Sequence, residues 1–263
     1  MVSESNLKIV FIGAGNLATN LAYALFNSGF HILQVYSRSN EPAEQLAALV
    51  KSAYTTKIDD ITKDADIYFI CVPDKVIKIV ADKIDVKNGI VVHTSGSTNI
   101  STLASTKSKG YGVFYPFQTF SKNRIVPFSM IPICLEANND DTFKALHRLA
   151  SLISSNVIPM DSATRTWLHL TGVFANNFSN HLLAISQKIA SDKGFNFDLI
   201  KPLVSETIEK AFKDNPDKVQ TGPAVRFDQT TINLHIEKLK EYSPELAEIY
   251  KELSLSIQNF TKK

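Results

Sequence analysis

The feature that most constrains this chain is a short glycine pattern set between two apolar runs of different period. Lys8–Ile12 (KIVFI) is apolar almost throughout, as a strand covered on both faces must be. Gly13-Ala14-Gly15-Asn16-Leu17-Ala18 follows at once, and Leu17, Leu21, Ala24 and Leu25 then recur on one helical face through Phe26. In a strand–turn–helix setting each position of this GxGxxA has a task. Gly13 permits the tight turn, Gly15 lets backbone come close to a pyrophosphate, and small Ala18 lets the helix lie close on the strand. Asn16 and Leu17 open the helix, whose free N–H groups and positive dipole end suit phosphates. A glycine turn that binds nothing is the bland alternative, and the βα units that follow argue against it.

Those units continue for some 150 residues. Strands are predicted at Ile32–Tyr36, Ala53–Thr55, Ile67–Val72, Ile90–His93, Tyr111–Tyr115, Pro132–Glu136 and Val157–Met160. Helices are predicted between them at Glu41–Leu49, Val76–Ile84 and Asp140–Ser151. This alternation predicts a doubly wound, mostly parallel sheet of the Rossmann kind over residues 6–160. From Asp161 onward no run reads as a strand. A long helix starting at Asp161 or Ser162 and running through Lys193 is expected, followed by helices at Ile200–Lys213, Thr231–Glu241 and Glu245–Asn259. The fold class is therefore α/β, with an all-α domain at 161–263.

The end of the second strand selects the cofactor. An NAD site usually places an acid there for the ribose 2′-OH, whereas an NADP site uses arginine near a 2′-phosphate. Here the chain reads Tyr36-Ser37-Arg38-Ser39, with no acid before Glu41. Ser37 and Ser39 can donate hydroxyls and Arg38 can fork onto a phosphate or stack on adenine, so NADP(H) is expected. After the fourth strand, Val72 and Pro73 are placed along the cofactor, and Asp74 is read as the cap of the next helix.

Composition removes other classes. Lys and Arg total 28 against 26 Asp and Glu, with no clustered basic face, so no nucleic-acid partner is expected. No run approaches about 18 apolar residues, and the first residues lack the pattern of a secretory signal, so no membrane partner is expected. Cys71 and Cys134 sit in separate apolar runs, which fits a reducing, cytoplasmic setting, and no metal-ligand spacing occurs.

Gly13–Ala18, Tyr36–Ser39, Cys71-Val72-Pro73-Asp74 and His93-Thr94-Ser95-Gly96-Ser97 together resemble the pyrroline-5-carboxylate reductase and β-hydroxyacid dehydrogenase group of NADP oxidoreductases. Trp167-Leu168-His169, Asn176-Asn177 and Thr221–Asp228 (TGPAVRFD) resemble a bacterial subgroup with a helical second domain of unassigned function, similar also to the deazaflavin-dependent NADP reductases. The resemblance implies a C-terminal domain that often dimerises, hence a homodimer through the C-terminal helices. It also implies a small-molecule site between the carboxyl edge of the sheet and that domain. The β-hydroxyacid dehydrogenases carry a lysine on the first helix of their second domain. Here no such lysine is found, and His169 stands in that region.

An α-helix through this region would place His169, Gly172, Asn176 and Asn180 on one polar stripe. His169 is the candidate general acid, since an unperturbed histidine titrates near ~6.5, and Asn176 is the candidate for orienting substrate. A helix–helix polar contact is the structural alternative. Gly172 would let a ligand approach. Ser95 and Gly96 of the loop after the fifth strand, with Gln118, Asn180 and Arg226, are candidate substrate contacts. Arg226 could clamp a carboxylate or pair with Asp228, itself read as a helix cap, and His235 is a lesser catalytic candidate. The expected activity is hydride transfer with a small C=O or C=N compound. The alternative is a non-catalytic NADP(H) sensor.

Overall fold

The computed structural model describes residues 7–261. Eight strands form one sheet: β1 (Lys8–Ile12), β2 (His31–Tyr36), β3 (Ala53–Thr55), β4 (Ile67–Ile70), β5 (Asp85–His93), β6 (Lys107–Pro116), β7 (Ile133–Ala137) and β8 (Val157–Pro159). Their order is β3-β2-β1-β4-β5-β6-β7-β8. All neighbours are parallel except β6 and β7. The strand order reverses between β1 and β4, and the carboxyl ends there open the crevice in which such sheets bind ligands.

Helices cover both faces, because alternate strand residues point to opposite sides. Ile9 and Phe11 pack with Ala18, Leu21 and Leu25 of α1 (Asn16–Asn27), Leu46 of α2 (Asn40–Leu49) and Leu146 of α4 (Asp140–Ser151). Val10 and Ile12 turn the other way and pack with Ile77, Val80 and Ala81 of α3 (Asp74–Ala81). A strand buried on both faces has no polar side, which is why its sequence is uniformly apolar.

Three local features depart from the periodicity. β5 begins at Asp85 rather than Ile90, because its register with β6 shifts between Val86 and Ile90 and absorbs the polar Lys87-Asn88-Gly89. Pro73, not Asp74, is the residue before α3, and the Asp74 carboxylate accepts a 2.5 Å hydrogen bond from the Ser97 hydroxyl instead of capping the helix. The helical region after Asp161 comes as α5 (Ser162–Gly172), a six-residue π-turn (Val173–Phe178) and α6 (Ser179–Lys193). Asp161 does cap α5, accepting from the Thr164 N–H at 2.7 Å.

The chain divides between His181 and Leu182 into two compact units. The second is helical, with α7 (Lys201–Asp214), α8 (Gln229–Tyr242) and α9 (Pro244–Thr261) beside the end of α6. Within it the Thr221–Asp228 segment folds as a compact turn. Gly222 takes φ +112°, the Asp228 N–H returns to the Pro223 carbonyl at 2.9 Å, and the Asp228 carboxylate caps α8 through the Thr231 N–H. His235 bonds Tyr250 across α8 and α9 at 2.9 Å, so it serves the packing of those helices. No helix among the described residues is long and apolar enough to cross a membrane.

Candidate active site

Two cavities open at the carboxyl edge of the sheet, one on each side of the Gly15–Asn16 step. The first, of about 230 Å³, is walled by Gly13, Gly15, Tyr36, Ser37, Arg38, Val72, Pro73 and Lys122, among others. The chain folds this way locally because Gly13 adopts φ +119° and its N–H bonds the Tyr36 carbonyl at 2.7 Å, while the Cys71 N–H bonds Ile12. Those two bonds draw the ends of β1, β2 and β4 together. A side chain at Gly15 would point into open space, so the backbone there is bare toward the cleft. Ala18 is 1% exposed and supports α1 from beneath, as its small size requires. Ser39 precedes α2 without capping it, and lies outside the cavity wall. Arg38 is exposed and the wall carries no carboxylate, so the electrostatics suit an anion.

The second cavity, of about 470 Å³, is lined by Asn16, Leu17, Tyr115, Phe117, Gln118 and His169 together with Gly172, Asn176, Asn177 and their neighbours. Asn16 and Leu17 therefore face this cavity and not the first. His169 is held from two sides. The Tyr115 hydroxyl lies 3.1 Å from its Nδ1, and Gly96 presses on the pair so closely that a Cβ there would stand 2.7 Å from Nδ1. Burial pushes the Tyr115 phenol up to about 12, so it keeps its proton at neutral pH. The neutral phenol can donate to Nδ1, which leaves the ring proton on Nε2, or accept from an Nδ1–H.

Several residues expected at the site also make contacts within the protein. Gly96 backs the Tyr115–His169 pair. The Ser95 hydroxyl accepts from the Ser97 and Thr98 N–H groups at 3.2 and 2.9 Å, tying its own loop. Gly172 lines the cavity and also makes room for Phe117, since a Cβ there would lie 2.7 Å from the ring. Gln118 does reach the cavity, with its Oε1 accepting from the Thr119 N–H at 2.8 Å. Asn180 is outside the lining, because the π-turn carries an extra residue per turn and brings Asn177 round beside Asn176 instead. Arg226 is exposed on the second unit, where its charge helps to hold the Asp228 carboxyl below its usual range, after the hydrogen bonds from Thr231.

Sequence reasoning overlooked a buried cation. Arg165 of α5 is fully buried, with Nη1 on Glu136 of β7 at 2.5 Å and Nη2 on the Thr98 carbonyl at 2.6 Å and the Ser162 hydroxyl at 3.1 Å. Only its place one turn after the Asp161 cap distinguished it from a surface arginine. It ties α5, and so His169, to the loop that follows β5.

His93 ends β5 fully buried, with Nδ1 accepting from the Ser95 N–H at 3.2 Å. Burial, and then the Arg165 charge, pushes its pKa down to about 4. The unfolded chain takes up this proton near ~6.5, so between those values it binds more protons than the folded protein, and stability falls as pH falls. Urea unfolding at pH 4.5 should show this site costing about 2–3 kcal/mol relative to pH 7.5. A His93→Asn variant should have a flatter profile, and an equally steep one would remove His93 as the source.

Residues 8–96 match the family described as NADP oxidoreductase coenzyme F420-dependent. Residues 131–257 match a domain of unknown function (DUF2520). A "putative NADP oxidoreductase" from Bacteroides fragilis is 38% identical, with 98% of this chain and all (100%) of that one covered, at a TM-score of 0.91. The chain belongs to this NADP oxidoreductase family. A Thermotoga maritima protein has the same fold at 22% identity and a TM-score of 0.79, covering 97% of this chain and 100% of its own. The 1-pyrroline-5-carboxylate reductase of Streptococcus pyogenes shares the fold at 15% identity and a TM-score of 0.60, covering 99% and 100%. No curated protein matches the chain.

Proposed function

We propose that the protein binds NADP(H) across both cavities and transfers hydride to or from a small C=O or C=N compound held beside His169. The observation that carries this reading is that consecutive residues wall the two cavities, Gly15 the first and Asn16 the second. The first cavity reaches Arg38, the second His169. A dinucleotide laid over the bare Gly15 backbone would place its 2′-phosphate toward Ser37 and Arg38, and its nicotinamide toward the Tyr115–His169 pair. When bound, the cofactor supplies the hydride. The protein's own groups then position substrate and move a proton. Nε2 of His169 carries the proton to be given to the oxygen or nitrogen that gains electrons, and Tyr115 fixes the ring's tautomer and direction. Asn176 and Gln118 offer amide groups to orient the substrate, while Phe117 and Leu17 supply apolar wall.

Titration of the purified protein with NADPH and NADH, followed by nicotinamide fluorescence, tests the cofactor half. The wild type should prefer NADPH, and Arg38→Ala should weaken NADPH by about tenfold or more with little change for NADH. The catalytic half is tested with any carbonyl or imine compound the wild type reduces. His169→Ala should bind NADPH normally yet turn over about 10²–10⁴-fold more slowly. An NADH preference refutes the Arg38 assignment, and unchanged turnover in His169→Ala refutes the proton donor.

A further inference from the structure

The first cavity holds a second cation that the glycine fingerprint does not account for. Lys122 lies more than a hundred positions from the fingerprint, in the segment between β6 and β7, yet it shares the cavity wall with Gly13, Gly15 and Arg38. Its placement is built rather than accidental. Ser121 and Arg124 pair as an isolated antiparallel bridge, so Lys122 sits at the tip of a tight turn. Asn20, on the second turn of α1 and wholly buried, holds that turn by both ends of its amide. Its Nδ2 donates to the Ser121 carbonyl at 3.0 Å and to the Asn16 carbonyl at 2.9 Å, and its Oδ1 accepts from the Val126 N–H at 3.1 Å. A buried amide with both ends satisfied is a rigid peg. This one fixes the lysine-bearing turn to the same helix whose first residues follow the glycine loop.

We propose that Lys122 is a phosphate-binding residue that closes over the pyrophosphate of the dinucleotide, and that Asn20 is its positioning residue. The inference rests on the cofactor reading given above. The anchor decides between the two phosphates. Through the Asn20 amide, which donates to both carbonyls, Ser121 is held beside Asn16, one residue past the Gly15 backbone, whereas Arg38 stands at the far end of β2, where a 2′-phosphate would lie. Gly13 and Gly15 thus form the floor of the pyrophosphate site and Lys122 its roof. In this arrangement Arg38 reads which cofactor is bound, and Lys122 serves the part common to both.

That division of labour is measurable in one set of titrations, with NADPH and NADH each added to wild type, Lys122→Ala, Lys122→Arg, Asn20→Ala and the Asn20→Ala/Lys122→Ala pair. Lys122→Ala should weaken both nucleotides by a similar factor, about tenfold for one charge-assisted contact, and Lys122→Arg should restore most of it. Asn20→Ala should weaken both as well, and the double variant should bind little worse than either single one, since the two act through one contact. Lys122 is not part of the packed core, so its variants should fold even where Asn20→Ala does not. A loss confined to NADPH in Lys122→Ala would overturn the pyrophosphate assignment, and unchanged affinity for both would overturn the proposal while leaving the cofactor reading in place. A wild type that binds neither nucleotide would overturn the reading on which the proposal stands.

Discussion

Gly13→Ala is expected to lower the thermal midpoint by roughly 10 °C and to abolish nucleotide binding, whereas Gly15→Ala is expected to spare the midpoint and lose binding alone. The two glycines lie two residues apart in one fingerprint, but their surroundings differ. Gly13 holds φ +119°, which an L side chain rarely adopts, and a methyl there would run into the Cys71 carbonyl. Neither atom can yield easily, since the Cys71 N–H is bonded to Ile12 at the junction of β1 and β4. Backbone strain and a clash of this kind together cost about 3–5 kcal/mol. For a unit of this size, 1 kcal/mol moves the midpoint by roughly 2–4 °C. A Cβ on Gly15 would meet nothing within 4 Å, so it costs the fold little and intrudes only where a ligand would lie. Calorimetry and nicotinamide fluorescence on both variants separate the two roles. A Gly15→Ala protein that binds NADPH as tightly as wild type would contradict the close approach assigned to that backbone.

Arg165→Met should be nearly as damaging, at about 3–5 kcal/mol in urea unfolding, although arginine is ordinarily a surface residue. The guanidinium is fully buried, and its removal leaves the Glu136 carboxylate with the Ser162 hydroxyl, which donates to it at 2.7 Å, and without its cation. Charge without a counter-charge is what makes such a deletion severe. Pairing it with Glu136→Gln should therefore recover part of the loss. If the double variant is as unstable as the sum of the two single ones, the cost lies in packing and not in the stranded carboxylate.

Most of the fold could be read from the chain because it rests on short-range patterns. The apolar runs of β1 and β4, the fingerprint between strand and helix, and the amphipathic spacing of α4 each announce themselves within about ten residues. The antiparallel turn of β7 could not be read so, since a buried strand looks the same in either direction. The site was legible where it is carried by consecutive residues, as at Gly13–Gly15 and Ser37-Arg38. It was hidden where it depends on distant segments meeting. Tyr115 finds His169 from 54 positions away. Lys122 is placed by Asn20 from a part of the chain with no periodicity of its own. Ser95, Gly96 and Gly172 stand out in the sequence, but not the groups of the protein they touch: a loop's own N–H groups, a histidine ring and the ring of Phe117. Small residues mark close approach, and the partner in that approach is not written beside them.

The π-turn at Val173–Phe178 changes how the C-terminal half of this chain should be indexed. An α-helix is a ruler graduated every 3.6 residues, and a π-turn slips that ruler by about one mark. Positions on its two sides are then out of phase, although each side remains regular. A substitution scan or alignment that carries one periodicity from Ser162 to Lys193 will group Asn180 with His169 and separate Asn177 from it, the reverse of their placement around the cavity. The two stretches have to be counted from separate origins.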